Sequence, residues 1–149
     1  MPRSPEDEDL EGIRAWFERL ALCVRAVDFA AARPLFAEDM IAFGTFADFI
    51  EGREQVEAAQ WRNVWPFIEG FRWRAESIRA IVSPDRRHAT GMGVWDSTGF
   101  DAEGRPFGRP GRATIAFARP AAAAPWVAEH THFSLFRDIP GRSFGRRGG

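Results

Sequence analysis

The chain has 149 residues, 45% of them hydrophobic and 28% charged, which fits a single globular domain with a core of ordinary size. Twenty basic residues, all Arg, face 21 acids, and the near-neutral balance of −1 argues against a dedicated nucleic-acid binder. The absence of Lys excludes a Schiff base and a phosphate-loop Lys, the absence of Tyr excludes a phenolic acid, and the single Cys23 excludes an internal disulfide or a zinc site built on several thiolates.

The start, Met1 to Asp9, is acidic and lacks the basic end and apolar stretch of a secretory leader. The longest apolar run, Ala121 to Ala128, is broken by Pro125 and is too short to span a bilayer, so a cytoplasmic protein without membrane contact is expected. Ile13, Trp16, Phe17, Leu20, Val24 and Val27 recur at helical spacing and predict an amphipathic helix over about 5–27. Ser4 is placed to cap it, with Pro5 at the first helical position. Asp28 is then expected to cap a second, short helix carrying Phe29, Ala32 and Phe36 inward, kinked or cut by Pro34.

The apolar and aromatic stretch from Met40 to Ile50 reads as a buried strand. Gly52 ends it, and Arg53 to about Phe67 reads as a third helix with Val56, Ala59, Val64 and Phe67 inward, stopping near Pro66. The remainder of the domain reads as a β-meander. Phe71, Trp73 and Ala75 alternate with charged residues before the apolar phase shifts to Ile78, Ala80 and Val82, the mark of a bulge that bends a sheet. Ser83-Pro84-Asp85 supplies a turn; strands are predicted at His88–Thr98, Arg112–Arg119 and Trp126–Arg137, with a long hairpin loop from Gly99 to Gly111. Helices first and hairpin strands afterwards give the α+β class, with helices on one face of the sheet. Residues 1–9 read as an acidic lead-in, 10–138 as one domain, and 139–149 as a flexible Gly- and Arg-rich tail whose Arg142, Arg146 and Arg147 are solvated.

This order of elements, with Asp28-Phe29 through Leu35-Phe36-Ala37-Glu38-Asp39, Gly52-Arg53-Glu54 and Trp126-Val127-Ala128-Glu129-His130-Thr131-His132-Phe133-Ser134, resembles the nuclear transport factor 2-like superfamily. The last segment looks like the W-x-x-x-H-x-H-x-S strand of its SnoaL-like branch. The resemblance implies a cone: three N-terminal helices on a strongly bent, mostly antiparallel sheet that encloses an apolar pocket. Ketosteroid isomerase, a relative in that superfamily, needs an Asp base and an oxyanion site of Tyr and protonated Asp. Aligned on Leu35-Phe36-Ala37, those positions fall on Gly44, near Leu20 and near Ile115, so that activity does not carry over.

Strand alternation then suggests a pocket face. If Trp126 pairs near Arg119, His130 sits beside Ile115 and His132 beside Ala113; pairing Thr98 near Arg112 adds Gly91, Gly93, Trp95 and Ser97, with Phe117 and Ala128 on the same face. A one-residue slip would instead set Arg112 and Thr114 beside the His pair, where Arg112 would suit a ligand carboxylate. Phe43, Phe46, Trp61 and Trp65 are candidates for the opposite wall.

His130 and His132 are the candidate catalytic residues, His130 as proton shuttle and His132 orienting it or polarising a carbonyl; the alternative is that both are polar groups satisfied by hydrogen bonds. Ser134 lies about 7 Å from His132 along the strand, too far for a nucleophile–base pair, and reads as a pocket hydroxyl. Asp39 reads as a turn residue at the strand entry, while Asp48 suits the surface or the pocket rim. Metal binding by the His pair would need a third ligand from elsewhere; His88 and Asp96 are available in sequence, but Asp96 has the wrong parity, and neither metal nor cofactor is expected. Phe133 and Leu135, with Val127, are expected on the outer face, where the resemblance implies a C2 homodimer. Two readings of function remain open. One is a SnoaL-like, cofactor-independent acid–base enzyme of cyclase, dehydratase or isomerase type acting on a small, largely apolar substrate. The other is a non-catalytic ligand-binding or assembly domain.

Overall fold

The computed structural model describes residues 4–44 and 48–146. Helix α1 runs Pro5–Ala26; the Ser4 hydroxyl accepts from the Asp7 amide and Pro5 opens the first turn, as the sequence predicts. Asp28 caps α2, Phe29–Ala32, by accepting from the Ala31 amide, and Pro34 sits in a 3₁₀ turn, Arg33–Leu35. Strand β1 is Phe36–Ala42, earlier than expected: Phe36, Met40 and Ala42 are buried, while the exposed Glu38 and Asp39 fall at an irregularity in its pairing. The two acids masked the strand's beginning. A short β2, Ile50–Glu51, comes after it.

The third predicted helix is segmented. It comprises α3 (Arg53–Val56), a π-helical turn (Glu57–Trp61), α4 (Arg62–Val64) and a 3₁₀ turn, Trp65–Phe67, that contains Pro66. Gly52 caps it at φ 92°, a left-handed value that favours glycine. The Glu57 carboxylate receives Arg33 and Arg62, both at 2.7 Å, and ties this helix to the end of α2.

The sheet contains β3 (Glu69–Trp73), β4 (Arg79–Val82), β5 (His88–Phe100), β6 (Pro106–Gly108), β7 (Gly111–Ala118) and β8 (Val127–Leu135). The expected phase shift between Phe71 and Val82 is met by a 3₁₀ turn, Ala75–Ser77, that divides β3 from β4; both pair with β5. The spatial order is β2-β1-β8-β7-β5-β3, antiparallel except for the parallel β1–β8 pair. The result is an open, bent sheet with helices packed on it.

Helix α1 fills one part of the concave face. Phe17 stands edge-on to Trp73 at 4.7 Å, and Trp16 edge-on to Phe117 at 4.8 Å. Small residues on β5 admit these rings: a Cβ at Gly91 would lie 2.8 Å from Phe117 and 3.0 Å from Phe17. The Trp16 indole also donates to the Leu35 carbonyl, fastening α1 to the start of β1. At the other end of the helix, buried Asp9 accepts from Arg86 and from buried Arg119 at 2.7 Å, joining α1 to the β4–β5 turn and to the end of β7. Among the described residues, no helix is long and apolar enough to cross a membrane.

Candidate functional site

A cavity of about 280 Å³ remains where α1, the segmented helix and the far half of the sheet diverge. Its helical wall carries Leu20, Val24, Trp61, Val64 and Trp65; its sheet wall carries Phe71, Trp95, Thr131, Phe133 and Leu135. The aromatic walls are ordered. Trp61 and Trp65 stack at 5.0 Å with 14° between their planes, Phe36 tilts against Trp61 at 4.9 Å, and Trp95 lies between Phe71 and Phe133.

The polar lining is sparse: Gln60, Arg109, Thr131 and Ser134. Gln60 donates to the Phe43 carbonyl. Arg109 is 6% exposed, its Nη2 donating to the Gly141 carbonyl at 3.0 Å and its Nε having no partner. Burial pushes its guanidinium pKa below the ordinary value, and among the described residues no carboxylate belongs to the cavity lining to offset that cost. Thr131 is 1% exposed and its hydroxyl is also unpartnered. The backbone around Arg109 is firmly held: its carbonyl accepts from the Trp95 indole at 3.1 Å and the Ser97 hydroxyl at 2.7 Å.

The segment after β8 closes this end. Gly141 receives Arg109, Ser143 accepts from the Phe100 amide and donates to the Phe67 carbonyl, and Arg146 makes a double hydrogen bond with Glu69 at 2.8 Å. Arg142 lies over the Phe144 ring.

The expected pocket face needs correcting in two registers. In the β5–β7 ladder Arg112 pairs with Val94 rather than near Thr98, a four-residue shift that leaves the same residues on one face and sets Trp95 across from Gly111. The β7–β8 ladder slips by one. Val127 and Ala128 pair as anticipated, with Ala118 and Phe117, but Glu129 is an extra residue in the β7–β8 ladder, and beyond it His130 pairs with Ala116 and His132 with Thr114. The bulge turns the strand over. Thr131, Phe133 and Leu135 therefore line the cavity, and His130 and His132 lie on the opposite face. Phe133 and Leu135 are thus not on the outer face where a homodimer contact was expected. The slip also sets Ser134 opposite Arg112, but Arg112 is exposed over the Phe136 ring at 4.8 Å and is not part of the cavity.

On the outer face, Phe43 stands edge-on to both His130 and His132, at 5.1 and 5.0 Å. The Nδ1 of His130 is 2.7 Å from the Ile41 carbonyl; a carbonyl only accepts, so Nδ1 carries the proton and stitches β8 to β1. His88 approaches Glu129 at 3.9 Å, and no cluster of three metal-ligating side chains occurs among the described residues.

Of the predicted ligand-binding residues, the cavity brings together Trp61, Trp95 and Ser134, with Trp65 from the expected opposite wall. Ile115, Phe117 and Ala128 face the same side of the sheet but are sealed in the core, because Trp16 and Phe17 occupy the room the small residues leave. Phe46 and Arg147 lie outside the described residues; Asp39 and Asp48 are exposed. Sequence reasoning missed Arg109, hidden in what read as a hairpin loop. It also missed Thr131, Phe133 and Leu135, although the apolar phase change from Trp126 and Ala128 to Phe133 and Leu135 is the same signal that marked the break after Trp73.

No protein-family model and no curated protein matches the chain in sequence. Solved structures do match in fold. A nuclear transport factor 2-like superfamily protein from Salmonella enterica serovar Typhimurium LT2 superposes with TM-score 0.71 at 14% identity, over 93% of this chain and 99% of that one. A ketosteroid isomerase-like protein from Erwinia carotovora atroseptica gives 0.72 at 15% identity, over 89% and 98%. The CaMKII hub of S. rosetta gives 0.70 at 14% identity, over 91% and 99%. The chain has the cone-shaped α+β fold of the nuclear transport factor 2-like superfamily.

Proposed function

We propose that this protein is a small-molecule-binding domain whose cavity holds a compact, largely aromatic or apolar ligand without transforming it. One observation carries the reading: an aromatic-walled cavity whose lining, among the described residues, includes no His, Asp, Glu or Cys, and so no side chain suited to exchange protons near neutrality. The positions that serve as base and oxyanion donors in ketosteroid isomerase fall here on Gly44, near Leu20 and near Ile115. Leu20 is an apolar wall residue and Ile115 a core residue. The closing Trp126–Ser134 segment supports a place in the SnoaL-like branch, with its histidines serving the outer face.

Native mass spectrometry of freshly purified protein, followed by denaturation and identification of released compounds, tests this. The expected result is an apolar small molecule that is recovered unaltered after prolonged incubation with the protein. Recovery of an altered compound overturns the non-catalytic reading. An empty protein that also fails to take up naphthalene overturns the binding reading.

A second reading, self-association of two copies through the outer sheet face, is favoured by the aromatic cluster there. Phe49, 64% exposed, tilts against Phe43 at 5.1 Å, and Phe43 in turn contacts both histidines beside the half-exposed Ile41. Large apolar side chains grouped on an open sheet face suit a second copy of the same face. Sedimentation velocity should show a dimer that Phe49→Asp converts to monomer; a wild-type monomer at high concentration removes this reading.

A further inference from the structure

We infer that the ligand of this cavity is an aromatic or apolar monocarboxylate, with its acid group held by Arg109. The inference rests on the small-molecule reading above and names the chemistry of that ligand. Arg109 is more than nine-tenths buried, belongs to the cavity wall, and directs one observed hydrogen bond to protein, from Nη2 to the Gly141 carbonyl. A guanidinium offers five N–H donors in a planar fork. Here Nε has no partner, and among the described residues no acidic side chain lines the cavity.

The other buried guanidinium among the described residues is treated differently. Arg119, also buried, meets the Asp9 carboxylate at 2.7 Å, donates to the Arg86 carbonyl, and lies over Trp126 at 3.7 Å. The contrast is chemical. A buried cation without an anion is costly unless something supplies the negative charge. A ligand carboxylate would do so, because its two oxygens match the fork in bidentate fashion.

The rest of the cavity limits the ligand further. Arg109 is the single cation of the described lining, which suits one negative charge better than a phosphate dianion. The remaining walls are aromatic or aliphatic apart from Gln60, Thr131 and Ser134, so the body of the ligand is apolar. Thr131, another lining residue, contributes a second buried polar atom without a protein partner, Oγ1. At about 280 Å³ the cavity lies near the lower end of the roughly 300–1,000 Å³ range of ligand sites, so the acid is small.

The test compares 2-naphthoate with 2-naphthamide, which share shape and differ in charge, by calorimetric titration and by the ¹⁵N-detected Arg Nε–H signals. Wild-type protein is expected to bind the acid at least tenfold more tightly than the amide, with the Arg109 Nε–H signal shifting downfield as the acid saturates. Arg109→Gln should abolish the preference for the acid. Circular dichroism reports whether that variant folds, and the wild-type comparison stands without it. Equal wild-type affinities, or an acid preference with an unmoved Arg109 signal, overturn the inference while leaving the cavity reading intact. Binding of neither compound overturns both.

Discussion

The Trp95 indole lies directly across Gly111, its partner on the neighbouring strand, so that any Cβ at position 111 would overlap the ring and come within 2.5 Å of the Ser134 carbonyl. This approach lets Trp95 form the sheet wall of the cavity and donate to the Arg109 carbonyl at the same time. Gly111→Ala should therefore displace the indole. The expected loss is about 1–3 kcal/mol of stability, the usual cost of overpacking, together with weaker ligand uptake. Chemical denaturation and near-ultraviolet circular dichroism measure it; an unchanged Trp95 signal would show that the ring is not held as described.

The anchor at the other end of α1 is electrostatic. Asp9 is buried between Arg86 and the nearly inaccessible Arg119. Truncation leaves a buried guanidinium without its carboxylate, and for a pair of this kind the loss is roughly 3–5 kcal/mol. Urea unfolding of Asp9→Ala should show a loss of that order, whereas Glu8→Ala, removing an exposed carboxylate 3.8 Å from Arg86, should change little.

Two carboxylates give the fold a defined acid sensitivity. Arg33 first, with Arg62, holds Glu57 down from its ordinary 4.5 to about 2, against the opposing effect of burial. Arg86 and Arg119 lower Asp9 in the same direction. Because both groups bind protons more readily when unfolded, their contribution is complete above about pH 4.5 and is lost as the pH falls toward 2. Stability measured across that window should decline, and Glu57→Gln should flatten part of the decline.

Cys23 faces the core from α1, and burial is the main cause raising its thiol pKa. A buried protonated thiol is a poor nucleophile. Ellman's reagent should react with native protein only at the rate of unfolding and stoichiometrically in denaturant. Rapid native labelling would mean that α1 opens locally.

Much of this architecture is legible in the sequence because local chemistry dictates it. Ser4 and Asp28 announce helix starts, Pro34 and Pro66 their interruptions, and the alternation around Trp95 a strand buried on one face. The cavity was only half legible. Trp61, Trp65 and Trp95 follow from helical and strand periodicity, but a single extra residue, Glu129, reverses the facing of everything after it in β8. The small residues Gly91 and Gly93 suggested open space. Only tertiary packing reveals that Phe17 and Trp73 fill it. Arg109 lies between Gly108 and Pro110, where no periodicity marks a direction, and its burial depends on Gly141 returning over it from thirty-two residues away.

The cavity assignment has an internal control in its six tryptophans. Trp61, Trp65 and Trp95 line the cavity, whereas Trp16, Trp73 and Trp126 are buried elsewhere. Titration with 2-naphthamide, followed through the six indole N–H signals in a ¹H–¹⁵N correlation spectrum, puts the central claim to its most direct test. Saturable shifts at Trp61, Trp65 and Trp95, with Trp16 and Trp126 unmoved, are the result this account predicts. Shifts confined to the backbone signals of His130, His132 and Phe43 would contradict it and move the binding site to the outer face of the sheet.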